Sequence, residues 1–341
     1  MTGRLVAARK AKNDEFYTQL SDIEREIRHY RDHFQGKSVY CNCDDPRVSN
    51  FFRYFSQNFE HLGLRQLVTT CYKNQNPDLF SLHNTERAVK LEYDGFRNGE
   101  TMPRPEDIGI EKLDGDGDFR SPECIELLKQ ADIVVTNPPF SLFREYVAHL
   151  MEHDKKFVII GPWNAVTYKE IFPLIRDNKF WLGYGFAAGN AFFAVPSETN
   201  DYAAGVYNKK TGLVKFRNVT WFTNLDHRKR HEKLILYRRY TQEDYPTYDN
   251  YDAIEVGKTK DIPMDYAGAM GVPITFLDKY NPDQFDILGI TDRDNNSGLK
   301  TKEYTETDAP NPGDLNRRAA IKYGSSLKST YARLLIRRTR P

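Results

Sequence analysis

Asp132-Ile133-Val134-Val135-Thr136-Asn137-Pro138-Pro139-Phe140 decides the reading of this chain. An acidic residue leads into a β-branched apolar run, the pattern of a short strand buried on both faces, and two prolines stop it because neither can donate to a sheet ladder. The strand therefore delivers Asn137 to its carboxyl edge, where open α/β sheets bind ligands. The side-chain carbonyl of Asn137 and the main-chain carbonyl of Pro138 are acceptors, and Phe140 offers a stacking face. Residues 141–151 then read as an amphipathic helix through Leu142, Phe143, Tyr146, Val147 and Leu150.

A Pro-Pro pair alone marks only a turn. With a strand before it and a helix after it, the corner fits the methylation of an exocyclic amino group. Such a nitrogen is a poor nucleophile because its lone pair is delocalised into the ring. Two acceptors gripping its hydrogens favour the pyramidal form that attacks a methyl sulfonium, so positioning and electrostatics suffice without a strong base.

Working outward, the chain has 341 residues, 39% hydrophobic and 28% charged, enough for one large domain or a core domain with an appendage. No signal peptide or membrane-length apolar run is evident, so a soluble cytoplasmic protein without membrane association is expected. Cys41, Cys43, Cys71 and Cys124 lack zinc-site spacing and read as buried free thiols. The net charge of +1 argues against a purely electrostatic nucleic-acid binder and directs attention to local clusters. One holds Arg228, Lys229, Arg230, Arg238 and Arg239; another, at the C-terminus, holds Arg317, Arg318, Lys322, Lys328, Arg333, Arg337, Arg338 and Arg340. Solvated faces explain basic clusters in general, but unpaired cations in such number suit phosphate contact.

Residues 1–12 read as a basic arm, and residues 20–34 as a helix capped by Ser21 with Phe16, Tyr17 and Thr18 just before it. That aromatic pair reads first as a staple onto the helix and second as a pocket lining. Residues 37–42 read as the first strand, followed by Asp44, Asp45 and Pro46 and a helix from Ser49 to Phe59. The loop between them has no glycine-rich phosphate cradle, which argues against a dinucleotide cofactor. Residues 67–71 read as a second strand, and residues 73–108 as a hairpin inserted on the rim.

The run from Asp114 to Phe119, with Asp116 and Asp118, lacks a calcium loop's twelfth-position ligand, so no metal is assigned; a loop accepting from an adenine amino group fits better. Ser121-Pro122-Glu123 starts another helix. Residues 156–160, 180–184 and 219–223 read as strands, 168–175 as a helix capped by Thr167, and 187–218 as a glycine- and alanine-rich loop. The alternation implies a doubly wound, Rossmann-like α/β sheet. Composition divides the chain into a first domain over residues 1–232 and a separate, irregular module over 233–341.

Several blocks together resemble the EcoRI-type adenine-specific DNA methyltransferases. They are Asn13-Asp-Glu-Phe-Tyr-Thr-Gln19, Val39-Tyr-Cys-Asn-Cys-Asp-Asp-Pro-Arg-Val-Ser-Asn-Phe-Phe52, Gly115-Asp-Gly-Asp-Phe-Arg-Ser121, the corner itself, Trp221-Phe-Thr-Asn-Leu-Asp226, Tyr248-Asp-Asn-Tyr-Asp-Ala253 and Met270-Gly-Val-Pro-Ile-Thr-Phe276. The resemblance runs from about residue 10 to about residue 290 and leaves the basic tail outside. It implies a class I methyltransferase sheet with a C-terminal target-recognition module. The implied activity is transfer of a methyl group from S-adenosylmethionine to N6 of a flipped-out adenine in double-stranded DNA.

By that resemblance Phe16, Tyr17 and Thr18 border the methionine part of the cofactor, and Asp44, Asp45 and Pro46 occupy the first-strand cofactor loop. Asp116, Asp118 and Phe119 meet the cofactor's adenine. Asn137, Pro138, Pro139 and Phe140 hold the target base, with Asn137 also near the cofactor, and the basic cluster from Arg228 to Arg239 clamps DNA. A monomer and a cognate restriction endonuclease acting on the same site complete the expectation. Two alternatives stay open. One is a methyltransferase for an RNA base or a protein glutamine; the other is a DNA-binding relative without catalysis.

Overall fold

The structure is a computed structural model that describes residues 17–43, 45–72, 88–95, 103–194, 206–292 and 294–339. The chain divides into two compact units, Met1–Ala165 with Phe180–Asp226 and Val166–Lys179 with His227–Pro341. Composition had placed residues 166–179 with the first domain. The readings made for Phe16, Asp44 and residues 1–12 lie outside the described residues.

The first unit holds an eight-stranded sheet. With strands numbered along the chain, its spatial order is β5 (Glu111–Lys112), β4 (Val89–Tyr93), β3 (Gln66–Cys71), β2 (Ser38–Cys41), β6 (Ile133–Thr136), β7 (Lys156–Pro162), β12 (Val219–Thr223) and β8 (Trp181–Leu182). The centre is parallel, β2 pairing with β3 on one side and β6 on the other, and β6 with β7; β4 and β12 run antiparallel to their neighbours. Chain connectivity therefore reverses direction between β2 and β6, and the crevice at such a switch point is where an open α/β sheet binds its ligand.

Alternation along each strand sends side chains to opposite faces. On one face Val39, Cys41, Ile133, Val135, Val158, Ile160 and Trp221 pack with Ile23 and Ile27 of helix α1 (Leu20–Ile27) and Phe51, Phe52 and Phe55 of α2 (Asn50–Gln57). The opposite face is covered by α3 (Pro122–Gln130), packed against β2, and α4 (Phe143–Glu152), whose Phe143 ring meets Phe222 of β12 at 5.1 Å. Cover on both faces explains why the central strands read as unbroken apolar runs. Ser49 caps α2 by accepting from the N–H groups of Phe51 and Phe52, both at 3.2 Å, and Ser121 caps α3 through Cys124 at 3.3 Å.

Gly161 of β7 sits where a Cβ would overlap the Phe143 ring, so the glycine sets how closely α4 approaches the sheet. Gly161→Ala is expected to cost about 1–3 kcal/mol of stability, as overpacking does. An unchanged thermal midpoint would mean that Phe143 can move aside.

Of the hairpin expected over residues 73–108 the described part holds β4, which pairs antiparallel with β3 from Leu67↔Tyr93 to Cys71↔Val89 and with β5 at the sheet edge, and buries Val89, Leu91 and Tyr93. Three local expectations are corrected. The loop expected over 187–218 contains β9 (Ala191–Ala194), β10 (Tyr207–Asn208) and β11 (Leu213–Phe216), which join β1 (Tyr17–Thr18) in a second sheet of order β1-β9-β11-β10. Gln19, not Ser21, is the residue before α1, because the chain enters directly from extended β1; the helix ends at Ile27 and continues as a 3-10 turn to His33. The helix expected at 168–175 starts only at Phe172, where Pro173 occupies the first turn, and runs to Arg176 as α5.

In the second unit β13 (Ile254–Glu255), β14 (Met270–Pro273), β15 (Phe285–Ile290) and β18 (Arg333–Arg338) form a sheet of order β13-β14-β18-β15, beside the hairpin of β16 (Ala320–Tyr323) and β17 (Ser326–Ser329). The C-terminal stretch is therefore no appended tail. β18 is an inner strand with Leu334, Leu335 and Ile336 buried, and Arg333 forms a two-pronged ion pair with Glu255 at 2.8 Å, itself bonded by the Tyr248 hydroxyl. No helix among the described residues is long and apolar enough to cross a membrane.

Candidate active site at the carboxyl edge of the sheet

β6 ends at Thr136, and Asn137, Pro138, Pro139 and Phe140 form the corner before a 3-10 turn (Phe140–Leu142) and α4. Pro138 is buried and Asn137 half-buried with its Oδ1 enclosed. The loop after β2 lies across the switch point and is tied to this corner. Buried Asn42 accepts the Thr136 hydroxyl at its carbonyl and the Tyr146 hydroxyl of α4 at its Oδ1. Phe140 is braced from the second sheet: its ring meets Phe216 edge-on at 6.4 Å, and Phe216 meets Phe193 at 5.5 Å. A braced ring keeps one orientation and offers its open face at low entropic cost.

Among the residues expected around a cofactor, Tyr17 and Thr18 pair with Ala194 and Phe193 of β9. The Asn50 amide at the start of α2 donates to the Thr18 carbonyl at 2.7 Å, which joins this segment to the loop after β2. Thr18 Oγ1 is buried and makes no hydrogen bond among the described residues. An enclosed hydroxyl without a partner is costly, and a polar ligand group arriving there would remove the cost.

The two acids expected in the cofactor loops share one arrangement. Asp45 Oδ1 accepts from the Arg47 backbone N–H and Nε, both at 3.0 Å, and Oδ2 accepts Nη2 at 2.8 Å. Asp118 does the same with Arg120, at 2.9, 2.8 and 2.7 Å. Each carboxylate oxygen has about two acceptor positions, so each clip fills Oδ1 and leaves room on Oδ2. Arg120 also reaches Glu145 at 2.8 Å. Asp116 is exposed and accepts the Asp118 N–H at 3.0 Å. Gly117, at φ +76°, presses against the Cys71 carbonyl, where any Cβ would overlap, and so holds this loop on the carboxyl end of β3. Phe119 is buried, its ring 5.0 Å from Tyr146 and 5.8 Å from His149.

Burial works to raise the Asp118 carboxyl, and the Arg120 hydrogen bonds more than offset it, leaving the group below its ordinary value. A depressed carboxylate contributes stability that is complete above its unfolded pKa and lost as pH falls through the folded one. The wild type is therefore expected to melt above Asp118→Asn at pH 6, with the gap closing below about pH 3.9. A gap that ignores pH would refute the pairing.

The structure thus brings Thr18, Asp45 and the Asn50 turn to one loop, and ties the corner to it through Asn42 and Tyr146. The sequence reading gave Arg47, Arg120, Asn42, Asn50, Tyr146 and Phe216 no role at the site. The alternation of residues 191–194 and 213–216 around Gly212 was the available signal for Phe216 and its sheet. The basic cluster belongs to the second unit. Arg228 and Arg239 are exposed, whereas Lys229 pairs with Asp278 at 2.6 Å, Arg230 donates to Asn178 at 2.7 Å and Arg238 lies 3.5 Å from Asp261. Elsewhere in the second unit, a cavity of ≈ 510 Å³ is lined by Asp265, Tyr266, Asp286, Arg337 and Arg338.

Comparison with known proteins agrees with this architecture. The family model described as "Adenine-specific methyltransferase EcoRI" matches residues 4–339, which includes the basic C-terminal stretch that the sequence resemblance had left outside. The chain is 50% identical over 295 residues to the type II methyltransferase M.EcoRI of Escherichia coli, covering 84% of this chain and 90% of that protein. It is 42% identical over 287 residues to the type II methyltransferase M.MpnI of Mycoplasma pneumoniae, and 41% over 294 residues to M.MgeORF184P of Mycoplasma genitalium; each match covers 82% of this chain, with 83% and 84% of those proteins. With the family model spanning nearly the whole chain and half of the residues identical to a relative over most of both lengths, the chain belongs to the EcoRI-type adenine-specific methyltransferases.

Proposed function

We propose that this site-specific adenine methyltransferase takes its methyl group from S-adenosylmethionine and places it on N6 of an adenine swung out of double-stranded DNA. The observation that carries the reading is the corner from Asn137 to Phe140 at the carboxyl end of β6, beside the switch point, with the Asn137 Oδ1 enclosed and the Phe140 ring braced by Phe216.

The residues present fit the methyl donor. Thr18 has an enclosed hydroxyl without a hydrogen bond among the described residues, and Asp45 and Asp118 each keep acceptor room on a fixed oxygen. In the proposed assignment Tyr17 and Thr18 hold the methionine end, Asp45 and Pro46 the middle, and Asp118 with Phe119 the adenine. When bound, the donor supplies an electrophilic methyl group on a sulfonium.

The chain's own residues do the rest. Asn137 Oδ1 and the Pro138 carbonyl accept the two hydrogens of the target amine and turn its lone pair out of the ring plane. Phe140 replaces the stacking lost when the base leaves the duplex, which costs a few kcal/mol. Arg228 and Arg239 contact phosphates, and the second unit reads base edges. A monomer acting in the cytoplasm, with a cognate endonuclease for the same site, belongs to the same reading.

Calorimetric titration of the intact protein with S-adenosylmethionine tests the donor assignment. One-site binding is expected, weakened about tenfold or more in Asp118→Ala, the scale of one lost charge-assisted hydrogen bond. Absence of binding in the wild type would overturn it.

A further inference from the structure

The proposed methylation uses the corner that leads into α4; the far end of that helix carries a second cluster. His149, Glu152 and His153 each offer one ligand atom, and these atoms lie within 4.8 Å of one another. The two histidines are four residues apart, the spacing that stacks side chains on one helical face. The backbone keeps that register to the end, since the His153 N–H donates to the His149 carbonyl at 3.2 Å. The rings meet at 4.7 Å, nearly perpendicular, and His149 Nε2 makes no hydrogen bond among the described residues. The sequence reading closed this helix at Met151 and assigned no metal, so the triplet was split across its end.

The donor set decides the ligand class. Two imidazoles and one carboxylate suit a borderline first-row dication, whereas calcium and magnesium take oxygen donors almost exclusively. Three ligands on one partly exposed helix end also leave coordination positions open to water. We propose that His149, Glu152 and His153 form a binding site for a transition-metal dication, with Zn²⁺ as its representative. The location gives the site a second consequence, which rests on the cofactor reading above. The His149 ring packs 5.8 Å from Phe119, the residue after Asp118, so a metal that fixes His149 also restrains the loop assigned to the donor's adenine.

Titration of the full-length protein with Zn²⁺, and with Co²⁺ as a spectroscopic probe, tests the site without reference to methylation. One saturable equivalent is expected, with Co²⁺ showing nitrogen and oxygen ligation. Affinity should fall at least tenfold in His153→Ala and in His149→Ala, and less in Glu152→Gln. Because His149 packs against Phe119, the His153 variant decides the matter if His149→Ala fails to fold. No saturable binding, binding unchanged in His153→Ala, or a thiolate-to-cobalt charge-transfer band pointing to the cysteines would each overturn the proposal.

Discussion

Asn137→Ala is expected to lower the methylation rate by about 10²–10³-fold, the usual cost of losing one pre-aimed polar group at a reacting centre. The fold should survive. Asn137 lies beyond the last residue of β6, and the Thr136 and Tyr146 hydrogen bonds to Asn42 and the Phe140–Phe216 contact hold the corner as well. Binding of S-adenosylmethionine should therefore stay within a few-fold of wild type while turnover collapses. Asn137→Asp, which keeps an acceptor at the same place, should lose less than the alanine variant. A variant with normal turnover would remove Asn137 from the reaction and with it the proposed role of the corner.

Ending the chain before residue 333 is expected to unfold the second unit and abolish DNA binding. The basic composition of the C-terminus invites a milder expectation, a flatter salt dependence from lost phosphate contacts. The strand order replaces it. Removing β18 takes out the strand between β14 and β15, exposes two inner edges, and deletes Leu334, Leu335 and Ile336, all at most 1% exposed. Each such burial is worth about 1.5–3 kcal/mol, so the sum approaches the 5–15 kcal/mol, roughly, that holds a whole domain together. It also strands Glu255 without Arg333. Circular dichroism and limited proteolysis check this; a truncated protein with a cooperative, near-native melt would contradict the assignment of β18 as a core strand.

What the sequence made legible follows from how each signal arises. β2, β3, β6 and β7 announce themselves because burial on both faces leaves no choice but β-branched and apolar residues, and the Asn-Pro-Pro-Phe corner because prolines punctuate sharply. The second sheet did not, because β1, β9, β10 and β11 are only two to four residues long, and β1 pairs with β9 across about half of the chain. The Asp45–Arg47 and Asp118–Arg120 clips share an Asp-x-Arg spelling that means nothing until two loops are seen to use it identically. β18 was hidden by its flanking arginines: charge dominated a hexamer whose middle three residues are core. The basic residues show the opposite error. Lys229, Arg230 and Arg333 looked like free cations in the sequence, and each has a partner within its own unit.

The most direct test of the central claim is incubation of the full-length protein with S-adenosylmethionine and mixed-sequence duplex DNA, followed by nucleoside mass spectrometry and sequencing of the modified positions. N6-methyladenine confined to one recurring motif is the predicted result. Duplex DNA left without methylated adenine by protein that binds the donor would contradict it.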